Sequence, residues 1–448
     1  MKRENFSSKF GVIAAAAGSA IGLGNIWKFP YIVGQNGGAA FILVYLICII
    51  LVGTVVMVSE LSLGRRAQRN PSGAFKAISP SGKWHYTGVL AIATSFIILS
   101  FYSMIAGWVF SYFFSSITGK LMAVPPENLT LYFENLAGNT PVVLFFNILV
   151  ICITAFVVIS GIQDGIEKYS KILMPILFFT LVILIFRSVT LDGAKEGLDF
   201  LFKPDFSQLT TESILEALGH SFYSLSLGMG IILTYGSYIK KEENLVNLSL
   251  KIIAADTIVA LMAGMVIFPA VFAYGFEPGA GPSLIFITLP AVFQEMPLGS
   301  FFETLFFLLI GIAAITSTIS LLEVSVASLT EELNLNRKKA TLLISIGLFI
   351  LSVPSTLSFG AWSSVKVFGL NLFDLFDYIA SYIFLPVGGI LTCIFVGWVW
   401  GSKNAFKEIS SDGMYSFGGY RLYNILIKYI APIAIFIILL YSTNIISF

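Results

Sequence analysis

Gly18-Ser19-Ala20-Ile21-Gly22-Leu23-Gly24-Asn25 and Ser224-Leu225-Ser226-Leu227-Gly228-Met229-Gly230 each interrupt a long apolar run, and their reading decides the fold. Glycine weakens a helix interior by about 1 kcal/mol relative to alanine, so paired glycines inside an apolar helix are costly unless other groups satisfy the freed backbone. A single such cluster is equally well read as close helix packing through small residues. Two clusters at corresponding places, with Gly22 and Gly228 separated by 206 residues, instead predict two broken helices related by an internal repeat. The repeat consists of five helices plus five, and the odd number of spans inverts the second copy. In architectures of this kind the interrupted helices mark where substrate and ions bind.

The surrounding chain supports membrane helices. Of its 448 residues 57% are hydrophobic and 11% charged, far below the charged share of roughly one quarter in soluble domains. Apolar runs such as 41–63 and 141–161 reach the length of about 20 residues that a transmembrane helix needs. They are apolar on every side, whereas a membrane barrel needs short alternating segments. The expected fold class is therefore an all-α integral membrane protein with eleven spans, at about 9–35, 40–64, 88–118, 141–160, 166–188, 213–239, 245–274, 299–330, 339–352, 368–399 and 419–445. The first repeat is expected over 9–188 and the inverted second over 213–399, with an extra eleventh helix in 400–448. The first apolar run lacks a small-residue cleavage site and is expected to be retained. With a cytoplasmic N-terminus, all but six of the 26 lysines and arginines fall on the cytoplasmic side, the six being Lys28, Lys120, Arg187, Lys195, Lys203 and Lys366. That bias follows the positive-inside rule and implies a multi-pass protein of the plasma membrane, with lipid as its surroundings. A net charge of +1 argues against a nucleic-acid partner, which a basic surface would recognise. Cys48, Cys152 and Cys393 lie in apolar runs and match no zinc spacing. No constellation of catalytic residues accompanies His85 and His220, so an enzyme is not expected.

Several motifs now carry a resemblance. The run Gly18 to Pro30, Asn36-Gly37-Gly38-Ala39-Ala40-Phe41, Glu60-Leu61-Ser62-Leu63-Gly64-Arg65, the second glycine cluster, Thr234-Tyr235-Gly236-Ser237-Tyr238 and Leu375-Phe376-Asp377-Tyr378 together resemble the neurotransmitter:sodium symporter family, with its leucine-transporter fold. In its helix count the chain is similar to bacterial members with eleven helices that carry tyrosine or tryptophan. The resemblance implies symport of an amino acid with sodium at two sites. The first sodium site takes the carbonyl of Ala20, side-chain oxygens of Asn25, Ser224 and Asp256, and the carboxylate of the substrate itself. The second takes the carbonyls of Gly18, Ile21 and Ala313 with the hydroxyls of Thr316 and Ser317. Read without the family, Asn25 also suits a helix cap, Ser224 a bond to its own helix, and the 313–318 run close packing. Asp256 is harder to explain blandly, since an ionisable group inside a membrane segment is functional by default.

By the same resemblance the substrate carboxylate sits near Ala20, Leu23 and Gly24, at a helix N-terminus that favours an anion, and meets the hydroxyl of Tyr102. Ile98, Tyr223, Ser226, Met229, Ser317, Ser320 and Leu321 match positions around the side chain, with Tyr223 as a lid. Apolar walls and the pliable Met229 imply a hydrophobic, aromatic L-amino acid. Two charge pairs match the family's gates: Lys28 with Asp377 outside, and Arg3 with Glu331 inside. Most members carry arginine where Lys28 stands, and lysine lacks the planar fork for bidentate pairing. Gly165 and Pro175 match the family's Gly-x9-Pro pattern in the fifth span. In chloride-dependent members a hydroxyl one turn beyond Asp256 helps hold the anion, with Tyr45, His220 and Ser224 matching the rest of that shell. Here Ala260 takes the hydroxyl's place, and Asp256 already supplies negative charge, so chloride independence is expected. The competing functions are an ion channel, whose filters also use polar breaks, and a sodium-coupled carrier of another small zwitterion.

Overall fold

Side-chain caps set where many of the helices begin. Ser8, Asn139, Asn244, Asn336 and Asn371 each accept a bond from the backbone N–H three residues on, and Thr210 with Ser213 forms a reciprocal capping box. The computed structural model describes residues 4–276, 284–415, 418–443 and 445–446. Within them the elements that frame the site are α1 (Lys9–Ala20), α2 (Gly24–Gln35), α3 (Ala39–Ala67), α4 (His85–Ile117), α5 (Thr140–Ile159), α6 (Ile162–Val189), α7 (Thr211–Ser224), α8 (Ile231–Gly236), α9 (Leu245–Ala273), α10 (Gly299–Glu332), α11 (Arg337–Leu357), α12 (Leu372–Val399) and α13 (Tyr420–Ser442). Among the described residues nine helices are long and apolar enough to cross a membrane, and the pair α1 and α2, bent by 53°, makes a tenth span. The short α7 and α8 flank the second glycine cluster.

Burial separates centre from rim. In α10, 89% of the most apolar 18-residue window is buried, against 28% in α6 and in α13. Helix α10 is thus the central post, while α6 and α13 present apolar side chains such as Phe179, Phe186, Ile433 and Phe436 to the outside. Exposed apolar surface on this scale suits lipid, not water.

Both glycine clusters break their helices. Residues 21–23 separate α1 from α2. Between α7 and α8 the backbone turns left-handed at Ser226 (φ 56°), Gly228 (75°) and Gly230 (78°), a conformation that glycine adopts without strain. Several expected boundaries move, and two of the shifts have a clear local cause. Helix α11 runs through Pro354 to Leu357, because helices in apolar surroundings tolerate proline where neighbouring groups serve the freed carbonyl. The next span starts at Leu372, not 368, because Phe368 and Gly369 (φ 53° and 82°) close a tight turn between Val367 and Leu370.

Candidate functional site

The two breaks face each other across a cavity with about 380 Å³ of empty space. Ser19, Ala20, Gly22 and Gly24 line it from the first break, Tyr223, Ser224, Ser226, Met229 and Ile231 from the second, Ile98 and Tyr102 from α4, and Ser317 and Leu321 from α10. Nearly every residue expected around the substrate is therefore on one wall or another. Leu23 contributes through its backbone, donating its N–H to the Tyr102 hydroxyl at 3.1 Å. Ser320 is displaced from the expected role: its hydroxyl pairs with Tyr235 at 2.8 Å and bonds the Thr316 carbonyl. Ser19, Gly22 and Ile231 line the cavity without having been expected there.

Beside the cavity lies a fully buried polar cluster. Asn25 Nδ2 donates to Asp256 Oδ1 at 2.7 Å, to the Asp256 carbonyl at 3.2 Å and to Ser224 Oγ at 3.3 Å. Ser224 Oγ donates to the same carboxylate at 3.0 and 3.2 Å. Asn25 Oδ1 in turn accepts the Gly22 N–H at 3.1 Å, folding the break back onto itself. Asn25 and Asp256 are both 0% exposed. Broken helix, α7 and α9 are thus tied by an acid that has no basic partner among the described residues. The helices that carry the second expected set, α1 and α10, also pack against each other. Thr316 Oγ1 lies at the Ala313 carbonyl (3.0 Å), Gly18 packs against the Thr316 side chain, and Ser317 Oγ reaches across to the Ser19 carbonyl at 3.3 Å. Ser226 Oγ reaches that carbonyl too, at 3.2 Å, so Ser19 joins α10 to the second break.

The expected outer gate is arranged differently. The Lys28 ammonium stands over the Tyr223 ring, 4.7 Å from its centroid, while Asp377 accepts from Ser381 at 2.6 Å. Lys28 and Asp377 form no ion pair within 4.0 Å in this structure, and a flexible ammonium satisfied by an aromatic face explains why. Arg3 lies outside the described residues. Glu331 accepts from the backbone and side-chain nitrogens of Asn70 at 2.8 and 2.9 Å.

Three buried acids that the motifs left without a role tie separate elements together. Glu60 on α3 accepts the Gly228 N–H at 2.8 Å, serving a backbone donor that the second break frees. Glu323 on α10 accepts from Tyr238 at 2.6 Å and forms a two-pronged pair with Arg337, whose Nε also donates to the Val158 carbonyl. Glu167, inside the Gly165–Pro175 stretch, binds Ser7, Ser8 and Lys171 and so fastens the start of α1 to α6. For Glu60 and Glu323 the available signal was the one that singled out Asp256, an acid within an apolar run, whereas Glu167 stands among charged residues and carries no such signal.

Comparison with known proteins agrees with this geometry. The model of the sodium:neurotransmitter symporter family matches residues 3–127 and 137–448. An uncharacterised sodium-dependent transporter of Bacillus subtilis, YhdH, is 38% identical over 447 residues, covering 100% of this chain and 99% of its own. An uncharacterised sodium-dependent transporter of Haemophilus influenzae is 37% identical, covering 98% and 97%. The crystal structure of MhsT in complex with L-phenylalanine superposes with a TM-score of 0.90 at 43% identity, over 98% of this chain and all of the other.

Proposed function

Because the chain belongs to the sodium:neurotransmitter symporter family, a family of multi-pass secondary transporters and not of enzymes, we propose that it imports a hydrophobic, aromatic L-amino acid together with sodium, without chloride, by alternating access. The observation that carries this reading is the buried Asn25–Ser224–Asp256 cluster opening onto the cavity between the two breaks. An uncompensated carboxylate at that depth favours a cation strongly. Hydroxyl, amide and carbonyl oxygens are the donors sodium prefers. Cation binding needs Asn25 to present Oδ1, so its side-chain amide turns over as the ion arrives and releases the Gly22 N–H. The Gly22 and Leu23 amides then face the substrate carboxylate, and Tyr102 donates to it. Because that carboxylate also completes the ion's shell, substrate and sodium bind each other's site into existence. This sharing of one ligand is the coupling.

Thr316, Ser317, Gly18, Ile21 and Ala313 serve a second sodium that ties α1 to α10, with the hydroxyl of Thr316 turning from the Ala313 carbonyl to the ion. The likeness to MhsT bound to L-phenylalanine supports the aromatic side chain, as do the apolar walls of Ile98, Met229, Ile231 and Leu321. Ala260, fully buried, offers no hydroxyl to chloride. Counting α7 with α8 as one span gives eleven helices, in two inverted repeats over 9–188 and 213–399 with an additional helix in 400–448. In the plasma membrane the N-terminus faces the cytoplasm. Tyr223 with Lys28 closes the outer path, and Arg3 with Glu331 the inner one. The test is competition for sodium-dependent binding by purified protein across the amino acids. Phenylalanine, tyrosine and tryptophan should compete and glycine should not. Competition by glycine with none by the aromatic three refutes the substrate assignment.

A further inference from the structure

Between α4 and α10, well away from both breaks, lies a buried acid that the transport reading does not use. Glu303, in the second turn of α10, is 0% exposed, and neither of its carboxylate oxygens has a hydrogen-bond partner among the described residues. Facing this turn of α10 from α4 are two hydroxyl groups, those of Tyr112, whose ring packs on Phe307, and of Ser116. Tyr112 is also 0% exposed and its hydroxyl likewise has no partner. Ser116, one turn further along, pairs with Thr304 of α10 at 2.7 Å. The Tyr112 ring packs on Phe286 and Phe307 at centroid distances of 5.0 and 5.1 Å and, at 5.7 Å, on Tyr132, whose hydroxyl donates to Ser115. No lysine, arginine or histidine forms an ion pair with Glu303 among the described residues.

A carboxylate taken out of water without compensation costs several kcal/mol, and such a group inside a membrane protein ordinarily faces a partner. We propose that Glu303, with the hydroxyls of Tyr112 and Ser116, binds a monovalent alkali cation between α4 and α10. The donors are hard oxygens, which suit sodium-like ions and not transition metals. One carboxylate balances one positive charge. A divalent ion would leave a net charge in apolar surroundings, and no group of three or more His, Cys, Asp or Glu is present among the described residues to receive it. Ser317 lies 14 residues further along α10, about 21 Å at 1.5 Å per residue, so this ion is distinct from the transported ones. Bound there, it fastens α4, which carries Tyr102, to α10, beneath the segment Leu284–Glu295.

The experiment uses crystals of the full chain grown with thallium(I) in place of sodium, for the native protein and for Glu303→Gln, which keeps the shape and removes the charge. The expected result is an anomalous peak in contact with the Glu303 carboxylate that is lost in the variant. No peak there in native crystals, or one that persists in Glu303→Gln, overturns the proposal. Peaks at Asn25 and Thr316 are read separately, so this site and the transport reading fail independently. In solution, Glu303→Gln should melt higher than the native protein in N-methylglucamine chloride and gain less from added NaCl. Superimposable melting curves for the two proteins at every NaCl concentration would mean that the carboxyl group carries its own proton, and would equally overturn it.

Discussion

Tyr102→Phe removes one oxygen from the site and isolates what that oxygen does. In the free protein the Tyr102 hydroxyl accepts the Leu23 N–H at 3.1 Å in a buried setting, a neutral bond worth about 0.5 to 1.5 kcal/mol. In the proposed substrate-bound state it donates to a carboxylate, a charge-assisted bond worth about 1.5 to 3 kcal/mol. The variant loses the weaker bond in one state and the stronger in the other. The difference, about 1 to 1.5 kcal/mol, lowers substrate affinity roughly 5- to 13-fold. Equilibrium binding of labelled L-phenylalanine at saturating sodium measures it, with the melting temperature of the substrate-free protein reporting the Leu23 bond separately. Affinity within twofold of native would refute the carboxylate contact. A loss above 100-fold would mean that the hydroxyl organises the break itself.

Glu60→Ala leaves the Gly228 N–H without its partner, and should destabilise the protein by about 1.5 to 3 kcal/mol in thermal melts while Glu60→Gln, which keeps an acceptor, loses much less. Arg337→Met strands the fully buried Glu323 carboxylate with Tyr238 alone, a loss of about 3 to 5 kcal/mol. The Arg337→Met, Glu323→Gln double variant should recover part of that stability, and a double variant no better than the single would argue against the pair. Native uptake should be unchanged in chloride-free medium, and Asp256→Asn with Ala260→Ser should make uptake depend on chloride. Native uptake that collapses without chloride would sink the chloride reading.

Much of the site could be read from the chain because its chemistry is local. Glycines at 22, 24, 228 and 230 cannot sit cheaply inside apolar helices, so both breaks were legible, whereas the meeting of Asn25, Ser224 and Asp256 between them was implied only by the family resemblance. What could not be read were contacts set by how helices rotate against one another. Ser320 differs from its neighbour Leu321 by one step around α10 and turns to Tyr235 instead of the cavity. Lys28 finds the Tyr223 ring instead of Asp377, a choice between two partners brought in by separate helices. Glu60, Glu167 and Glu323 take partners 168, 160 and 85 residues away, distances at which sequence spacing carries no register. The span expected over 339–352 continues through Pro354 to Leu357, because apolar surroundings let a helix keep a proline.

The measurement closest to the central claim is accumulation of labelled L-phenylalanine by proteoliposomes containing the full chain, driven by an inward sodium gradient. Accumulation should exceed the equilibrium level, disappear when potassium replaces sodium or an ionophore collapses the gradient, and be lost in Asn25→Ala. Uptake that only equilibrates, that proceeds equally in potassium, or that survives Asn25→Ala undiminished would contradict the account.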